Sequence, residues 1–323
     1  MSAYAGRSVL VLGGLGFIGV NLTRRLVTTG AQVTVVTPSR PRHMERANEF
    51  EAQGVRVLEG DVRSRALMAT AVPGAHVIFN LAGQSGAVAS MEDPWTDLDV
   101  NCAGSLAVLE SLRHHNPDAK VVFVGSRLEY GKAAALPVTE DQEPEPLCVH
   151  GVHKLAVEEY LRLYGRLFGV KFAIARVTNP YGPGQPASRV SYGVVNQLIH
   201  MALANTPLTI YGDGRQKRDY IYVEDVVSAL MRLGETPASN GRVYNVGTGI
   251  GTPLVEMARI IIRTAGGGRV EHAEWPPLAE RIETGDFIAD ISRARRELAW
   301  APVVSLEDGL RRTVESCRAQ VVL

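Results

Sequence analysis

The sequence predicts an α/β protein built on a doubly wound parallel sheet, followed by a smaller C-terminal lobe. Short apolar runs alternate with amphipathic stretches through the first half of the 323-residue chain, and such alternation produces parallel strands joined by right-handed crossovers. Several runs, among them Ser8–Leu12 and Lys120–Val124, are apolar almost throughout, which is typical of strands covered by helices on both faces. A glycine-rich turn follows the first of these runs.

The order of the elements follows from this alternation. The strands predicted in the first half are Ser8–Leu12, Gln32–Val36, Val55–Glu59, His76–Leu81, Lys120–Val124 and Lys171–Arg176. The helices predicted between them are Phe17–Thr29, Arg42–Gln53, Ser64–Ala71, Pro94–His114 and Gly151–Phe168. After Asn179, prolines and glycines crowd residues 180–186 and indicate a loop. Beyond the loop the pattern predicts a helix, a strand, a helix, a strand and a helix at Gly193–Ala204, Leu208–Tyr211, Val223–Leu233, Arg242–Val246 and Pro253–Thr264.

The composition limits the class of partner. Lys and Arg together number 34, and Asp and Glu also number 34, so the chain carries no net charge. This balance argues against a nucleic-acid or anionic-membrane partner. The three cysteines show no metal-ligand spacing, so we expect no metal site and incidental thiols in a reducing compartment. With no signal peptide and no run of about 18 apolar residues, we predict a cytoplasmic monomer or homodimer with a small-molecule substrate.

The glycine-rich turn indicates a dinucleotide site. Gly13, Gly16 and Gly19 have the spacing G-x-x-G-x-x-G, and a helix begins within the turn, at Phe17 and Ile18. The first glycine permits a sharp bend, the second lets the backbone approach a pyrophosphate, and the third lets helix and strand pack closely. The N–H groups at the start of the helix then bind the pyrophosphate. We therefore predict a Rossmann domain over residues 1–178, with a later return around residues 220–250, and a mainly substrate-binding lobe over residues 179–323.

The end of the second strand indicates which dinucleotide binds. A carboxylate there would bind the adenosine ribose of NAD, but the polar residues present are Thr37, Ser39 and Arg40. An arginine holds a 2′-phosphate through two hydrogen bonds, so we favour NADP (NADPH) over NAD. The alternative is that these residues form a solvent-exposed basic turn that binds no 2′-phosphate. After the third strand, Asp61 and Val62 suit a contact to adenine, although Asp61 could equally cap the next helix.

Longer motifs extend along nearly the whole chain. They are Gly13–Gly19, Gly60–Val62, Asn80–Gly83, Val100–Asn101, Arg176–Pro183, Tyr211–Gly214, Gln216–Val226, Tyr244–Gly249 and Asp290–Ser292. Together they resemble the extended short-chain dehydrogenase/reductases, the NAD-dependent epimerase/dehydratase-like family, whose typical members act on nucleotide sugars. The resemblance implies further cofactor contacts at Leu81, Ala82, Gly83 and Val177.

The resemblance also implies catalytic positions. Family members use a serine or threonine that polarises the carbonyl, and a Tyr-x-x-x-Lys pair in which the phenol exchanges the proton and the lysine holds the nicotinamide ribose. Ser126 and Lys154 match this pattern, but His150 occupies the tyrosine position. The reference pKa of histidine is about 6.5, against about 10 for tyrosine. Burial, Lys154 and an oxidised nicotinamide would lower the pKa of His150 further, which makes it a poor proton acceptor for alcohol oxidation.

Other positions depart from the pattern of sugar-nucleotide enzymes. Dehydratases of the family carry an acid where Leu128 stands, and Glu129 is expected to turn to the opposite face of its strand-like segment. The Arg-x-Gly-Asp motif that grips pyrophosphate reads Glu-Thr-Gly-Asp here, starting at Glu283. Asn179 and Arg218 remain as candidate diphosphate ligands or as structural residues at turns.

Three functions are compatible with these residues. The one we favour is an NADPH-dependent ketoreductase of an aromatic polyketide, such as an angucyclinone-like antibiotic intermediate, whose own hydroxyl supplies the proton. The second is a nucleotide-sugar 4-epimerase, 4-reductase or dehydratase in which His150 carries protons. The third is a non-catalytic NADP-binding protein, which would leave the retention of Ser126 and Lys154 without a reason.

Overall fold

A computed structural model describes residues 2–185 and 193–321 of the chain. Within these ranges the strands are β1 (Ser8–Leu12), β2 (Gln32–Thr37), β3 (Arg56–Glu59), β4 (Val77–Asn80), β5 (Lys120–Ser126), β6 (Lys171–Val177), β7 (Asn179–Tyr181), β8 (Pro207–Tyr211), β9 (Lys217–Tyr222), β10 (Arg242–Val246), β11 (Gly251–Pro253) and β12 (Arg269–Ala273). The α-helices are α1 (Phe17–Thr28), α2 (Met44–Ala52), α3 (Arg65–Ala71), α4 (Ala87–Glu92), α5 (Pro94–Leu98), α6 (Gly104–His115), α7 (Val149–Phe168), α8 (Val194–Leu203), α9 (Val223–Glu235), α10 (Leu254–Ala265), α11 (Pro277–Arg281), α12 (Ser292–Leu298) and α13 (Leu306–Val321). Residue 186, the last of the predicted loop, lies outside the described ranges.

Seven parallel strands form the main sheet of the described residues. Their order from one edge to the other is β3-β2-β1-β4-β5-β6-β10. Val9 of β1 lies between Val33 of β2 and Val77 of β4. The chain order therefore reverses between β1 and β4, which places a crevice at the carboxyl ends of these strands. The predicted doubly wound fold class is confirmed.

Helices cover both faces of this sheet. Leu26 of α1 belongs to one buried cluster with Val11 of β1, whereas Leu112 of α6 and Leu161 of α7 belong to another with Leu10 of β1. Because successive residues of a strand point to opposite faces, neighbouring residues of β1 enter different clusters. The apolar runs in the sequence are explained by this two-sided burial.

The later part of the chain forms two small sheets and then returns to the main one. β8 pairs with β12 beneath α8, α10 and α13, in a third buried cluster that includes Leu198, Ile261 and Leu310. β7, β9 and β11 form a separate three-stranded sheet. β10 extends the main sheet, with Tyr244 beside Ala175 of β6. The division into cofactor-binding and substrate-binding parts at residue 178 stays a prediction. Along the described ranges, every helix is too short or too polar to cross a lipid bilayer.

The long helix predicted over Pro94–His114 is interrupted. It consists of α5, a π-helical turn at Asp99–Ala103, and α6. A π-turn adds one residue to the hydrogen-bonded loop, so it rotates the side chains before it relative to those after it, and such turns are frequent at functional sites. Here the interruption accompanies two buried polar side chains, Asp97 and Asn101.

Strand β9 was not predicted, because it begins with the charged residues Lys217, Arg218 and Asp219. Asp219 is nevertheless fully buried. Its carboxylate accepts hydrogen bonds from the backbone N–H groups of Thr248 at 2.7 Å and Gly249 at 2.9 Å. These bonds replace the water lost on burial, and they come from a part of the chain that is distant in sequence.

A buried ion-pair network joins β6 to the elements beside it. Arg176 of β6 contacts Glu129 Oε2 at 2.9 Å and Glu158 Oε2 of α7 at 2.8 Å, and all three side chains are buried. Burial and the neighbouring Glu158 raise the pKa of Glu129. The pKa of Glu158 is lowered, because its hydrogen bonds to Glu129 and Arg176 outweigh its burial. Arg176 thus binds two carboxyl groups that are isolated from water, of which Glu158 is the one favoured as the anion.

We expect Arg176→Met to lower the free energy of unfolding by about 3–5 kcal/mol, because it leaves buried carboxylates without their cation. Arg162→Ala is the matched control: that arginine also contacts Glu158, but its side chain is 38% exposed, so the loss should stay below about 1 kcal/mol. Urea unfolding at pH 7 measures both. Equal losses in the two variants would contradict the assignment of the network to Arg176.

Candidate functional site

One large cavity lies over the carboxyl ends of the main-sheet strands. Its volume is about 1240 Å³. It brings together most of the residues singled out in the sequence, namely Gly13, Gly16, Phe17, Ile18, Gly19, Thr37, Asp61, Val62, Leu81, Ala82, Gly83, Ser126, His150, Lys154 and Val177. It also includes Arg46 and Arg127, which the sequence did not indicate.

The glycine turn fits a bound pyrophosphate. Gly13 has φ +79°, and a Cβ placed on it would lie 3.0 Å from the backbone nitrogen of Ala82. A Cβ on Gly19 would lie 2.2 Å from the carbonyl oxygen of Gly13. Gly16 begins α1 without a side-chain cap, so the first N–H groups of the helix remain available to an anion. Backbone, and not side chains, therefore forms this end of the cavity.

The adenosine end differs from the prediction in one respect. Thr37 and Asp61 line the cavity, but Ser39 and Arg40 are not among its described lining residues. The guanidinium of Arg40 instead binds Glu51, at 2.6 and 2.9 Å. Arg46 of α2 does line the cavity, and it donates to the carbonyl oxygens of Leu15 and Gly184, each at 3.1 Å.

The carboxyl end of β5 supplies Ser126. Its side chain caps the 3₁₀ turn that follows, while Glu129 accepts a hydrogen bond from the Ser126 backbone N–H at 2.6 Å. Glu129 therefore points into the Arg176 network and away from the cavity, although it does so from a 3₁₀ turn and not from the strand-like segment that the sequence suggested. Lys154 of α7 is buried, and its ammonium donates to the carbonyl oxygen of Val124 at 3.1 Å. Burial lowers the pKa of Lys154.

His150 is the second residue of α7 and is also buried. Its backbone N–H donates to Ser90 Oγ at 3.0 Å, and its Nδ1 lies 3.3 Å from Asp97 Oδ2. The other oxygen of Asp97 lies 2.7 Å from Nδ1 of His153. Burial lowers the pKa of His150, and the hydrogen bond to Asp97 opposes this effect. The sequence analysis missed Asp97, although its position four residues before Asn101 of a family motif puts both on one helical face.

Asp97 is a fully buried carboxylate. Burial alone would raise its pKa, but hydrogen bonds to His150 and His153 outweigh burial and lower the pKa below its usual value. It therefore remains ionised at neutral pH. Asn101, within the π-turn, donates to the carbonyl oxygen of Gln84 at 3.1 Å and leaves its own Oδ1 buried without a hydrogen-bond partner.

Arg127 lies at the end of the cavity opposite the adenosine side. Its Nε donates to Asn179 Oδ1 at 3.1 Å, and its Nη1 donates to Thr284 Oγ1 at 2.9 Å. Burial lowers its pKa to about 10, so the group stays cationic at neutral pH. Arg218 is not among the described residues that line the cavity, and its guanidinium binds Glu283. Asn179 lies in the cavity, but its amide is already bonded to Arg127 and to the carbonyl oxygen of Asp219, so its role as a diphosphate ligand or a structural residue stays open.

Comparison with known proteins agrees with this geometry. The model of the NAD dependent epimerase/dehydratase family matches residues 9–247. The UDP-glucose 4-epimerase of Mycolicibacterium smegmatis is 33% identical over 96% of this chain and 98% of its own. An epimerase structure from Methanothermobacter thermautotrophicus has a TM-score of 0.93 at 28% identity, covering 99% of this chain and 94% of that chain. The Thermotoga maritima UDP-glucose 4-epimerase with UDP-glucose has a TM-score of 0.88 at 29% identity, covering 97% and 99%.

These relatives overturn the function favoured from the sequence. Reduction of an aromatic polyketide was wrong as the main prediction, because relatives along nearly the whole chain are nucleotide-sugar 4-epimerases. That prediction relied on the lowered pKa of His150, whose direction the structure bears out, but it did not include the buried carboxylate of Asp97 beside this histidine.

We expect Gly19→Ala to weaken dinucleotide binding by at least about 30-fold, equivalent to about 2 kcal/mol, because the added Cβ would collide with the Gly13 carbonyl. Gly74→Ala is the control for an added Cβ far from the turn: Gly74 has φ +78°, which strains an alanine, but nothing lies within 4 Å of the added Cβ, so dinucleotide affinity should stay at the wild-type value. Calorimetric titration with NAD⁺ and NADP⁺ measures both variants. Wild-type affinity in Gly19→Ala would exclude the glycine turn as the binding site.

Proposed function

We infer the function from the premise that this chain belongs to the NAD dependent epimerase/dehydratase family, the extended short-chain dehydrogenase/reductases. We propose that it is an enzyme that epimerises the sugar of a nucleoside diphosphate sugar with the help of a bound nicotinamide dinucleotide. The observation that carries the proposal is one cavity that contains the glycine turn, Ser126, His150, Lys154 and Arg127. Dinucleotide, reacting alcohol and substrate anion would all find contacts there.

The end of the cavity around Arg127 favours an anionic substrate. Arg127 and Arg218 are two cations and Glu283 is the carboxylate that faces them, so this cluster keeps one positive charge. The hydrogen bonds of Arg127 go to an amide and a hydroxyl, both neutral. Arg127 is half-buried, and a guanidinium with neutral partners gains from a charge-assisted bond to a phosphate. The diphosphate of a nucleotide sugar supplies such a group. The UDP-glucose bound in the Thermotoga maritima structure is a ligand of this kind.

The lining favours epimerisation over dehydration. Of the described residues, the carboxylates that line the cavity are Glu45 and Asp61, and both lie at the adenosine end. Leu128 stands where dehydratases carry an acid, and Glu129 is bound to Arg176. Elimination of water needs an acid and a base beside the sugar, whereas 4-epimerisation needs a proton acceptor at one hydroxyl.

The side chains divide the work as follows. When bound, the nicotinamide dinucleotide supplies the hydride acceptor, and in its reduced form the donor, for transient oxidation of a sugar alcohol. Ser126 hydrogen-bonds the reacting oxygen, and His150 accepts the hydroxyl proton and returns it. Lys154, held by the Val124 carbonyl, binds the nicotinamide ribose. Ser126, His150 and Lys154 all line one cavity, which supports an enzyme over a non-catalytic binding protein.

We expect UDP-glucose, UDP-galactose or another nucleoside diphosphate hexose to raise the melting temperature and to be epimerised, because ligands stabilise the state that binds them. Arg127→Ala should raise KM at least about 10-fold, the scale of one lost charge-assisted bond. Arg215→Ala is the control, because the side chain of this arginine is 85% exposed, and it should change neither KM nor the rise in melting temperature on ligand binding. Thermal shift and NMR of the anomeric protons give the readouts. If no such sugar is bound or converted, the proposed function is wrong.

The preference for NADP over NAD stays a prediction, but Arg46 replaces Arg40 as the residue on which it depends. Arg46 lies in the cavity and its guanidinium contacts backbone carbonyls, whereas Arg40 is neutralised by Glu51. We expect Arg46→Ala to reduce the ratio of NADP⁺ to NAD⁺ affinity about 10-fold or more, since a lost phosphate contact costs about 1.5–3 kcal/mol. Arg40→Ala is the control and should leave the ratio unchanged. Tighter binding of NAD⁺ than NADP⁺ by the wild-type protein would refute the preference.

A further inference from the structure

A buried carboxylate between two histidines lies beside the cavity and has no part in the function described so far. Asp97 is wholly buried, and its two oxygens lie against Nδ1 of His150 and Nδ1 of His153. A buried charge is costly unless it is compensated. Around Asp97 the compensation comes from histidine N–H groups and the Asn101 amide, and not from an arginine or lysine in contact with it.

We propose that Asp97 is the positioning residue that makes His150 a competent proton acceptor in the proposed epimerisation. Asp97 accepts the Nδ1–H of His150, which fixes the tautomer that carries its proton on Nδ1. The lone pair is then on Nε2, and among the described residues no hydrogen bond to that atom is present. Because His150 lines the cavity, Nε2 is the ring atom left for the substrate hydroxyl.

The charge on Asp97 answers the objection to histidine at this position. An imidazolium at His150 would lie one helical turn from the ammonium of Lys154 and at the positive end of α7. Asp97 supplies the opposite charge at 3.3 Å, so protonation of His150 converts a carboxylate–imidazole pair into an ion pair. A tyrosine in this position would change from a neutral phenol to an anion when it gives up its proton, and the positive charge of Lys154 would be enough to stabilise that anion. A histidine passes from neutral to cation and therefore needs a carboxylate.

Protons balance in this scheme. The O–H bond of the sugar alcohol breaks, its proton goes to Nε2 of His150, and the hydride on the same carbon goes to the oxidised dinucleotide. On return the hydride is added to the opposite face of the ketone, and Nε2 gives the proton back to the oxygen. Asp97 stays ionised throughout and keeps its hydrogen bond to Nδ1. The Asp–His pair of serine proteases orients and stabilises a histidine in the same way.

His153 provides the matched control. Its Nδ1 contacts the same carboxylate at the shorter distance of 2.7 Å. His153 is not among the described residues that line the cavity. His153→Gln therefore changes one contact of Asp97 and leaves the contact between Asp97 and His150 in place. The groups that face His150 are Asp97, His153 and Lys154, and only the first of these carries a negative charge.

The test compares wild type, Asp97→Asn, His153→Gln and His150→Gln. We expect Asp97→Asn to lower kcat for nucleotide-sugar epimerisation by about 10²–10⁴, the scale of general acid–base catalysis, with KM and dinucleotide affinity within about 3-fold of wild type. The acid limb of kcat/KM should move to lower pH, because removing the carboxylate lowers the pKa of His150 and the neutral base persists to lower pH. His153→Gln should cost less than about 10-fold and leave the limb in place. Equal effects of the two variants, or an unmoved limb in Asp97→Asn, would overturn the proposal.

A second readout does not depend on activity. The chain has eight histidines, and ¹⁵N-histidine spectra of the full-length protein, assigned with His150→Gln, report which ring nitrogen carries the proton. We expect Nδ1–H at His150 in the wild type, and a proton on Nε2 would overturn the role of Asp97. If no nucleotide sugar is converted, the proposed function fails, and the spectra still decide whether Asp97 orients His150.

Discussion

The geometry of the site depends on one buried arginine. Arg176 of β6 binds Glu129, which follows Ser126, and Glu158, which lies one helical turn beyond Lys154 on α7. Glu129 in turn accepts the backbone N–H of Ser126. The strand end that carries the serine and the helix that carries His150 and Lys154 are therefore joined through a single guanidinium. Because that guanidinium binds both buried carboxyl groups, neither element can shift without leaving a buried charge uncompensated.

Much of the fold could be predicted because its signals are local. The strands β1 and β10 begin and end where the apolar runs do, and the spacing of Gly13, Gly16 and Gly19 is set by contacts within one turn. The failures have a common cause, since each depends on a partner distant in sequence. Strand β9 tolerates Asp219 because backbone N–H groups around residue 248 bind it. Arg40 was wrongly expected beside the cofactor. Its guanidinium binds Glu51 of α2 instead, and no pattern in the sequence indicates that pair.

The site shows the same limit. The sequence indicated the residues of the glycine turn, Ser126 and Lys154, since a motif carries each of them. It did not indicate Asp97 or Arg127, which are recognised only by the side chains that they contact. The lowered pKa of His150 agrees with the expectation from burial and like charges, but that expectation could not include the carboxylate of Asp97, which comes from another helix. Motifs identify the common chemistry of a family, and contacts between elements identify how one member departs from it.

The contact between Asp97 and His150 has an evolutionary consequence. A tyrosine restored at position 150 would have to form its phenolate beside a buried carboxylate, which raises the pKa of a phenol and disfavours the anion. A neutral residue placed first at position 97 would leave the histidine without its counter-charge. Neither single step is neutral, so the two positions form an epistatic pair. Exchange of this histidine for the tyrosine of the family pattern therefore requires both substitutions together.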